Sequence, residues 1–267
     1  MPIIIKSDEE IAIMHEGGRI LAEVLELLTA EIHPGTIISD LDTIVKEEYI
    51  RRDVVPTFLG YHGFPAHVCV SVNDEIVHGI PSGRELQNGD IVGIDLGLTH
   101  KGFVADSALT VGVGTIGQEE QRLIDTTRRS LWAGIQAARP GARLSDISHA
   151  IQTCAEPEGY SLVREYVGHG IGRAMHEDPQ VPNFGPPGRG PLLQKGMVLA
   201  LEPMVNMGDC HTKQHDDNWT VSTLDGSLSA HFEHTIAITE EGPVVLTLRS
   251  DERELAATLA EPAKVRR

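Results

Sequence analysis

Cysteine, aromatic residues and positive charge are all scarce in this 267-residue chain. The three cysteines, Cys69, Cys154 and Cys210, are odd in number and scattered, and no CxxC pair occurs. That excludes a disulfide framework and a thiolate zinc site. Aromatics make up only 4% of the residues, so Leu, Ile, Val and Ala must fill the core. Lys and Arg number 22 against 39 Asp and Glu, a net charge of −17. A chain of that sign does not track a phosphate backbone or dock on an anionic bilayer, so neither nucleic acid nor membrane is an expected partner. No apolar run approaches the length of a membrane span, and the start MPIIIKSDEE lacks a basic segment followed by a long apolar one. The expected location is the cytoplasm. Histidine is not scarce: thirteen residues justify a search for a metal or acid–base site.

Residues 7–31 carry apolar positions at helical spacing behind Ser7, a good N-cap with Glu10 three residues on. Pro34-Gly35 predict a turn, and Ser39 or Asp40 is expected to cap a second helix running to about Arg52. Residues 66–80, 89–97 and 102–113 read as strands. The pattern then recurs. Residues 117–138 predict another amphipathic helix with an acidic start, followed by the turn and helix of 139–156. PGTIISDL (34–41) matches PGARLSDI (140–147) at an offset of 106. GDIVGIDLG (89–97) matches GMVLALEPM (196–204) at an offset of 107, which sets Asp95 on Glu202 and also His62-Gly63 on His169-Gly170. VADSALT (104–110) resembles FEHTIAI (232–238), and shifting the two by one residue, to an offset of 127, sets Asp106 against Glu233. The expectation is one α+β domain over 1–250, built from related halves of about 1–115 and 116–250 around a shared sheet. Residues 251–267, without a counterpart in either half, are expected to form a peripheral tail.

The repeat bears on GIDLGLTHKGFVADSALT (93–110), where two strands each carry an aspartate among apolar residues. A buried, unpaired carboxylate is costly and tends to protonate. If the halves meet about a pseudo-twofold axis, Asp95, Asp106, Glu202 and Glu233 converge, and such a set either protonates or binds cations. A histidine between glycines is ordinarily a loop residue. Beside four acids, His169 completes a mixed oxygen and nitrogen shell suited to two divalent ions.

Six segments, taken in order, carry a resemblance: GYHGFPAHVCVSVNDEIVHGIP (60–81), GDIVGIDLG (89–97), ADS (105–107), GHGIGRAMHEDPQVPNFG (168–185), LALEPM (199–204) and LSAHFEHTIAIT (228–239). Together they resemble the type I methionine aminopeptidases over residues 3–250. The resemblance implies the pita-bread fold: two pseudo-twofold halves forming a curved, mainly antiparallel sheet covered by helices, with a dimetal site at the centre. It implies a metal-dependent hydrolase that removes the N-terminal methionine of nascent chains when the second residue is small. Asp95 would chelate one ion, Asp106 and Glu233 would bridge both, and His169 and Glu202 would complete the second. Glu202 would also accept the proton of the attacking water. His78 would meet the scissile amide nitrogen and His176 the carbonyl oxygen.

The methionine pocket would be lined by Tyr61, Phe64, Cys69, Met175 and Trp219 beside His78 and His176, with Phe58 narrowing its mouth. The implied cofactors are two divalent ions (Co, Mn, Fe or Zn). A monovalent cation, Na or K, would sit at the Asn73 and Glu75 carbonyls and Ser229. The implied partners are nascent N-termini at the ribosome, and the implied state is a monomer. Prolidases and X-Pro aminopeptidases use a similar ligand set but carry a large N-terminal domain, whereas here the first helix is expected at residue 7. Type II enzymes carry a long insertion between the metal-binding His and Glu; His169 and Glu202 are 33 residues apart. A non-catalytic binding homologue is the remaining alternative, and the complete ligand set argues against it.

Overall fold

In the computed structural model, which describes residues 2–260, α1 (Asp8–Ala30) starts at the predicted cap. Ser7 Oγ accepts from the Glu10 N–H at 3.2 Å, and Glu10 Oε2 accepts from the Ser7 N–H at 3.0 Å. This reciprocal box satisfies two donors that the first turn would otherwise leave free. α2 (Ile38–Arg51) does not start as expected: Ser39 and Asp40 lie inside it, and the cap residue is Ile37, with no side-chain bond. Its early N–H groups are met from outside. Ile38 donates to Arg84 O at 3.0 Å and Ser39 to Ser82 O at 2.9 Å, so a neighbouring loop replaces the capping side chain. α3 (Gln118–Ala137) and α4 (Leu144–Ala155) repeat the helix pair in the second half.

The first half supplies β1 (Val55–Pro56), β2 (Val68–Val72), β3 (Glu75–Val77), β4 (Ile91–His100) and β5 (Phe103–Gly112). The second supplies β6 (Ser161–Leu162), β7 (Gly168–Gly170), β8 (Glu177–Val181), β9 (Val198–Leu201), β10 (Met204–Asn206), β11 (Thr212–Gln214), β12 (Val221–Thr223), β13 (Ser229–His231), β14 (His234–Ile238) and β15 (Pro243–Val245). All the strand pairings are antiparallel. β4 and β5 form a long hairpin closed at Lys101 and Gly102, both at positive φ as a tight primed turn requires. β4 lies between β1 and β2 on one side and β5 on the other, while β9 lies between β14 and β7.

Strand periodicity separates core from site. On β4, Ile94, Leu96 and Leu98 are fully buried in the main core, which α1 and α2 also line. Gly93, Asp95 and Gly97 therefore face the other way. Asp106 sits opposite Gly97, and so on the same face as Asp95. In the second half His169 sits opposite Ala200, which puts it on the face of Glu202 two residues on. Thr235 is also opposite Ala200, so Glu233 shares that face. β5 and β14 meet at the midline. Thr235 Oγ1 donates to Asp106 O at 2.8 Å and accepts from the Asp106 N–H at 3.2 Å, while the Glu233 N–H donates to Ala108 O at 2.8 Å. An offset of 127 residues takes 106 to 233 and 108 to 235, exchanging the two contacts as a pseudo-twofold axis does.

Two expectations are corrected. His62-Gly63 is not the counterpart of His169-Gly170. His62 lies in a 3₁₀ turn at φ 46° and Gly63 at φ 91°, whereas His169 is in β7. Gly93, the counterpart of Ala200 at the offset of 107, pairs with Ser71, so Ser71 holds the place of His169. The dipeptides match because each needs glycine, one for a turn and the other for close packing: a Cβ on Gly170 would lie 2.2 Å from Asp178 O. Nor is the tail peripheral from residue 251. Glu252 is fully buried, and Leu259, beyond α5 (Arg253–Ala257), packs into the main core. Glu252 is drawn in by Arg249 and His234. Residues 261–267 lie outside the described residues.

Candidate active site

Asp95, Asp106, His169, Glu202 and Glu233 form the floor of a cavity of about 170 Å³. His169 Nε2 lies 3.5 Å from Glu202 Oε1 and 3.8 Å from Asp106 Oδ2. Its Nδ1 is 2.9 Å from the Gly170 carbonyl. A carbonyl only accepts, so Nδ1 carries the hydrogen and Nε2 offers a lone pair to the carboxylates. Oδ1 of Asp95, Oδ1 of Asp106 and Oε1 of Glu233 are buried with no hydrogen-bond donor.

The electrostatics follow from this crowding. Burial pushes Asp95 up to about 7. Burial first, and then repulsion from the other acids, raises Asp106, Glu202 and Glu233 well above the usual carboxylate range. Burial and the neighbouring His176 lower His169 to about 4, so the imidazole is neutral at physiological pH. Four carboxylates, three of them with an unmet oxygen, and one neutral imidazole are a donor set that suits divalent ions, since a cation reverses the cost of the charged state. A second group of three donors among the described residues, Asp209, Cys210 and His211, lies on an exposed stretch, and Asp209 Oδ1 is already engaged by the Cys210 N–H and by His211 Nδ1.

The walls of the cavity are apolar. Phe58, Tyr61, Phe64, Cys69, Met175 and Trp219 line it together with His78 and His176. Phe64 packs edge-on against Trp219 with centroids 5.1 Å apart and against Phe58 at 6.4 Å. Phe58 seats on Gly97, where a Cβ would come within 2.4 Å of its ring. Cys69 is opposite Asp95 on β2, which points its side chain at the acids, and burial raises its thiol well above the usual range. His78 is held at φ 62° after β3, stacks edge-on with Tyr166 and Trp219, and is lowered to about 4 by burial and then by His176. His176 is the last residue of the β7–β8 loop. Its Nδ1 is 2.6 Å from the Tyr61 hydroxyl, and its ring lies 4.4 Å from that of His169.

All of the predicted metal, catalytic and pocket residues thus border one cavity. The three predicted for a monovalent cation lie elsewhere. Asn73 and Ser229 touch, the Ser229 N–H donating to Asn73 O at 3.0 Å, while Glu75 stands on β3 and its carboxylate accepts from the Val72 N–H. Sequence reasoning missed two supports of the site. Lys6 and Glu177 pair beneath the β7–β8 loop, and Arg249, Glu252 and His234 pair behind β5 and β14. Lys6 behind Ile3-Ile4-Ile5 and His234 at the head of β14 were the available signals, but Lys6 and Glu177 are 171 residues apart.

Residues 12–240 match metallopeptidase family M24. The chain is 53% identical to methionine aminopeptidase 1 of Bacillus subtilis, over 92% of this chain and 99% of that one. It superposes on the crystal structure of methionine aminopeptidase from Thermotoga maritima with a TM-score of 0.91 and 45% identity, covering 92% and 99% of the two chains. Prolidase from Pyrococcus furiosus, 22% identical, shares the fold with a TM-score of 0.75, over 92% of this chain and 66% of that one. The pita-bread fold is common to these structures, and the chain belongs to metallopeptidase family M24, among the methionine aminopeptidases.

Proposed function

We propose that this chain removes the N-terminal methionine from nascent proteins and peptides with a small second residue, by metal-assisted hydrolysis of the first peptide bond. One observation carries the reading: five metal donors converge at the floor of an apolar cavity with three of their buried oxygens unmet. Asp95 would hold one ion, His169 and Glu202 a second, and Asp106 and Glu233 both. Two divalent ions (Co, Mn, Fe or Zn) held by these residues would supply Lewis acidity toward a carbonyl and activate water at neutral pH.

The chain's own residues do the rest. Phe64, Trp219, Tyr61, Cys69 and Met175 hold the thioether, which packs well against aromatic edges and sulfur, while Phe58 narrows the entry. Glu202 faces the donor cluster and accepts the proton of the attacking water. His176, with Nδ1 engaged by Tyr61, keeps Nε2 for the substrate carbonyl oxygen and stabilises the negative charge that develops there. His78 meets the scissile amide nitrogen. A monovalent cation, Na or K, at the Asn73 and Glu75 carbonyls and Ser229 would brace the strands beside His231. The enzyme works as a cytoplasmic monomer on chains leaving the ribosome; the charge of −17 disfavours nucleic acid as a substrate, and no helix among the described residues is long and apolar enough to cross a membrane.

The test is mass-spectrometric cleavage of Met-Ala-Ser and Met-Leu-Ser by chelated protein resupplied with Mn or Co. Metal-restored release of methionine from the first peptide alone is expected. No release under any metal would leave a binding protein instead, and release from both would overturn the small-residue rule.

A further inference from the structure

We infer that Lys6 and Glu177 are a positioning pair that sets the loop carrying Met175 and His176, so that the N-terminal arm forms part of the active site; the inference rests on the role of His176 proposed above. The loop between β7 and β8 spans residues 171–176. A single carboxylate gathers it from below: Glu177 Oε1 accepts from the Arg173 N–H at 2.9 Å and from the Ala174 N–H at 3.3 Å. Those donors lie one and two residues before Met175, and Glu177 itself follows His176. The other oxygen, Oε2, takes Lys6 Nζ at 2.5 Å, and both side chains are buried, at 3% and 5% exposure.

Lys6 is held in turn. Its N–H donates to Gly196 O at 2.8 Å, and its ammonium also reaches Ile4 O at 3.2 Å. The ion pair runs across Gly172, where a Cβ would fall 2.5 Å from Lys6 Cε and 2.6 Å from Glu177 Oε1, so the loop leaves a channel for it. Gly172 O accepts from the Val104 N–H at 2.7 Å, which ties the loop to β5, the strand of Asp106. His176 is thus fixed from two sides, by Glu177 through the backbone and by Tyr61 at its ring. A carboxylate buried without its lysine would turn toward water, and that change releases the two N–H groups that shape the loop.

The pair does not touch the cavity, so its effect must pass through His176, and a double-mutant cycle isolates that route. In the full-length, Mn-loaded enzyme with Met-Ala-Ser, Lys6→Met is expected to lower kcat by about tenfold and to leave KM within about twofold, the pattern of a misplaced group that acts in the transition state. Lys6→Arg, which keeps the charge, is expected to restore kcat to within about threefold. In a His176→Ala background the same Lys6→Met change is expected to cost less than about twofold, because the group it positions is already gone. An equal loss in both backgrounds, or full kcat in Lys6→Met, would overturn the pair's role while leaving that of His176 intact. Unchanged kcat in His176→Ala alone would overturn the role of His176 and this inference with it. Should Lys6→Met fail to fold, the double change Lys6→Met with Glu177→Met, which leaves no unpaired buried charge and removes the acceptor of the two N–H groups, carries the same cycle with the same outcomes.

Discussion

Glu233 and His234 are neighbours that face opposite ways into two buried charge clusters. In front, Glu233 joins Asp95, Asp106 and Glu202, four like charges whose oxygens are partly unmet. Behind, His234 joins Glu252 and Arg249, charges of both signs that satisfy one another. His234 Nε2 lies 3.0 Å from Glu252 Oε2, and Arg249 donates to Glu252 Oε1 at 2.8 Å and to Ser107 Oγ at 3.2 Å. Ser107 Oγ in turn donates to Glu233 O at 2.8 Å, so the rear cluster grips the backbone of the front one. Asp106 and Glu233 in front and Glu252 behind are almost fully buried, yet the carboxyls move in opposite directions. The front acids are raised, while Glu252 is held well below the carboxylate range because His234 and Arg249 outweigh its burial. One strand pair therefore carries a compensated cluster that holds the structure and an uncompensated one that awaits cations. Period-two alternation is what allows it.

The largest effect expected from breaking this contrast is in front. Asp95→Ala should lower methionine release by more than about 100-fold, beyond what outer-shell changes cost, with the circular dichroism spectrum unchanged. A fully active Asp95→Ala enzyme would remove the metal role. Behind, Glu252→Gln should cost about 3–5 kcal/mol in urea unfolding, because it leaves Arg249 buried without its counter-charge. Replacing Arg249 and Glu252 together by Met should cost less than either single change; additive losses would contradict the paired reading.

A pH series sharpens the contrast. Asp95 titrates near 7 in the fold against 3.8 in the open chain, so between those values the metal-free folded state holds more protons and stability falls as pH rises. Asp95→Asn should therefore stabilise the chelated protein increasingly from pH 4 to 7, by an amount on the order of 4 kcal/mol at the upper end. A gain independent of pH would contradict the raised value. Glu252 has the opposite sign: its contribution is complete above the ordinary carboxylate range and is lost as pH falls. The smallest effect is expected from Ser107→Ala, about 1–2 kcal/mol of stability, as one link between the clusters is lost.

The front cluster was legible in the sequence because each acid interrupts an apolar strand, and because the repeat set Asp95 on Glu202. The rear cluster and the Lys6–Glu177 pair were not legible. Lys6 and Glu177 lie 171 residues apart, and although Arg249 and Glu252 are only three apart, nothing local distinguishes Glu252 from the exposed Glu254 beside it. The start of α2 was misread for a related reason: the loop at 82–84 supplies the cap that Ser39 or Asp40 was expected to provide, and only tertiary structure brings that loop near. The match of His62 to His169 failed because a His-Gly dipeptide serves turns and packed strands alike.

The most direct test of the central claim needs no turnover. The unfolding midpoint of chelated protein is followed while Mn is titrated in, for wild type and for Asp106→Asn. If the four acids are compensated by divalent ions, the wild type should gain about 2.7 kcal/mol of stability at a metal concentration 100 times its dissociation constant, and the variant far less at the same concentration. Equal stabilisation of the two proteins would mean that the cation binds elsewhere, and that the front cluster meets its charge by protonation alone.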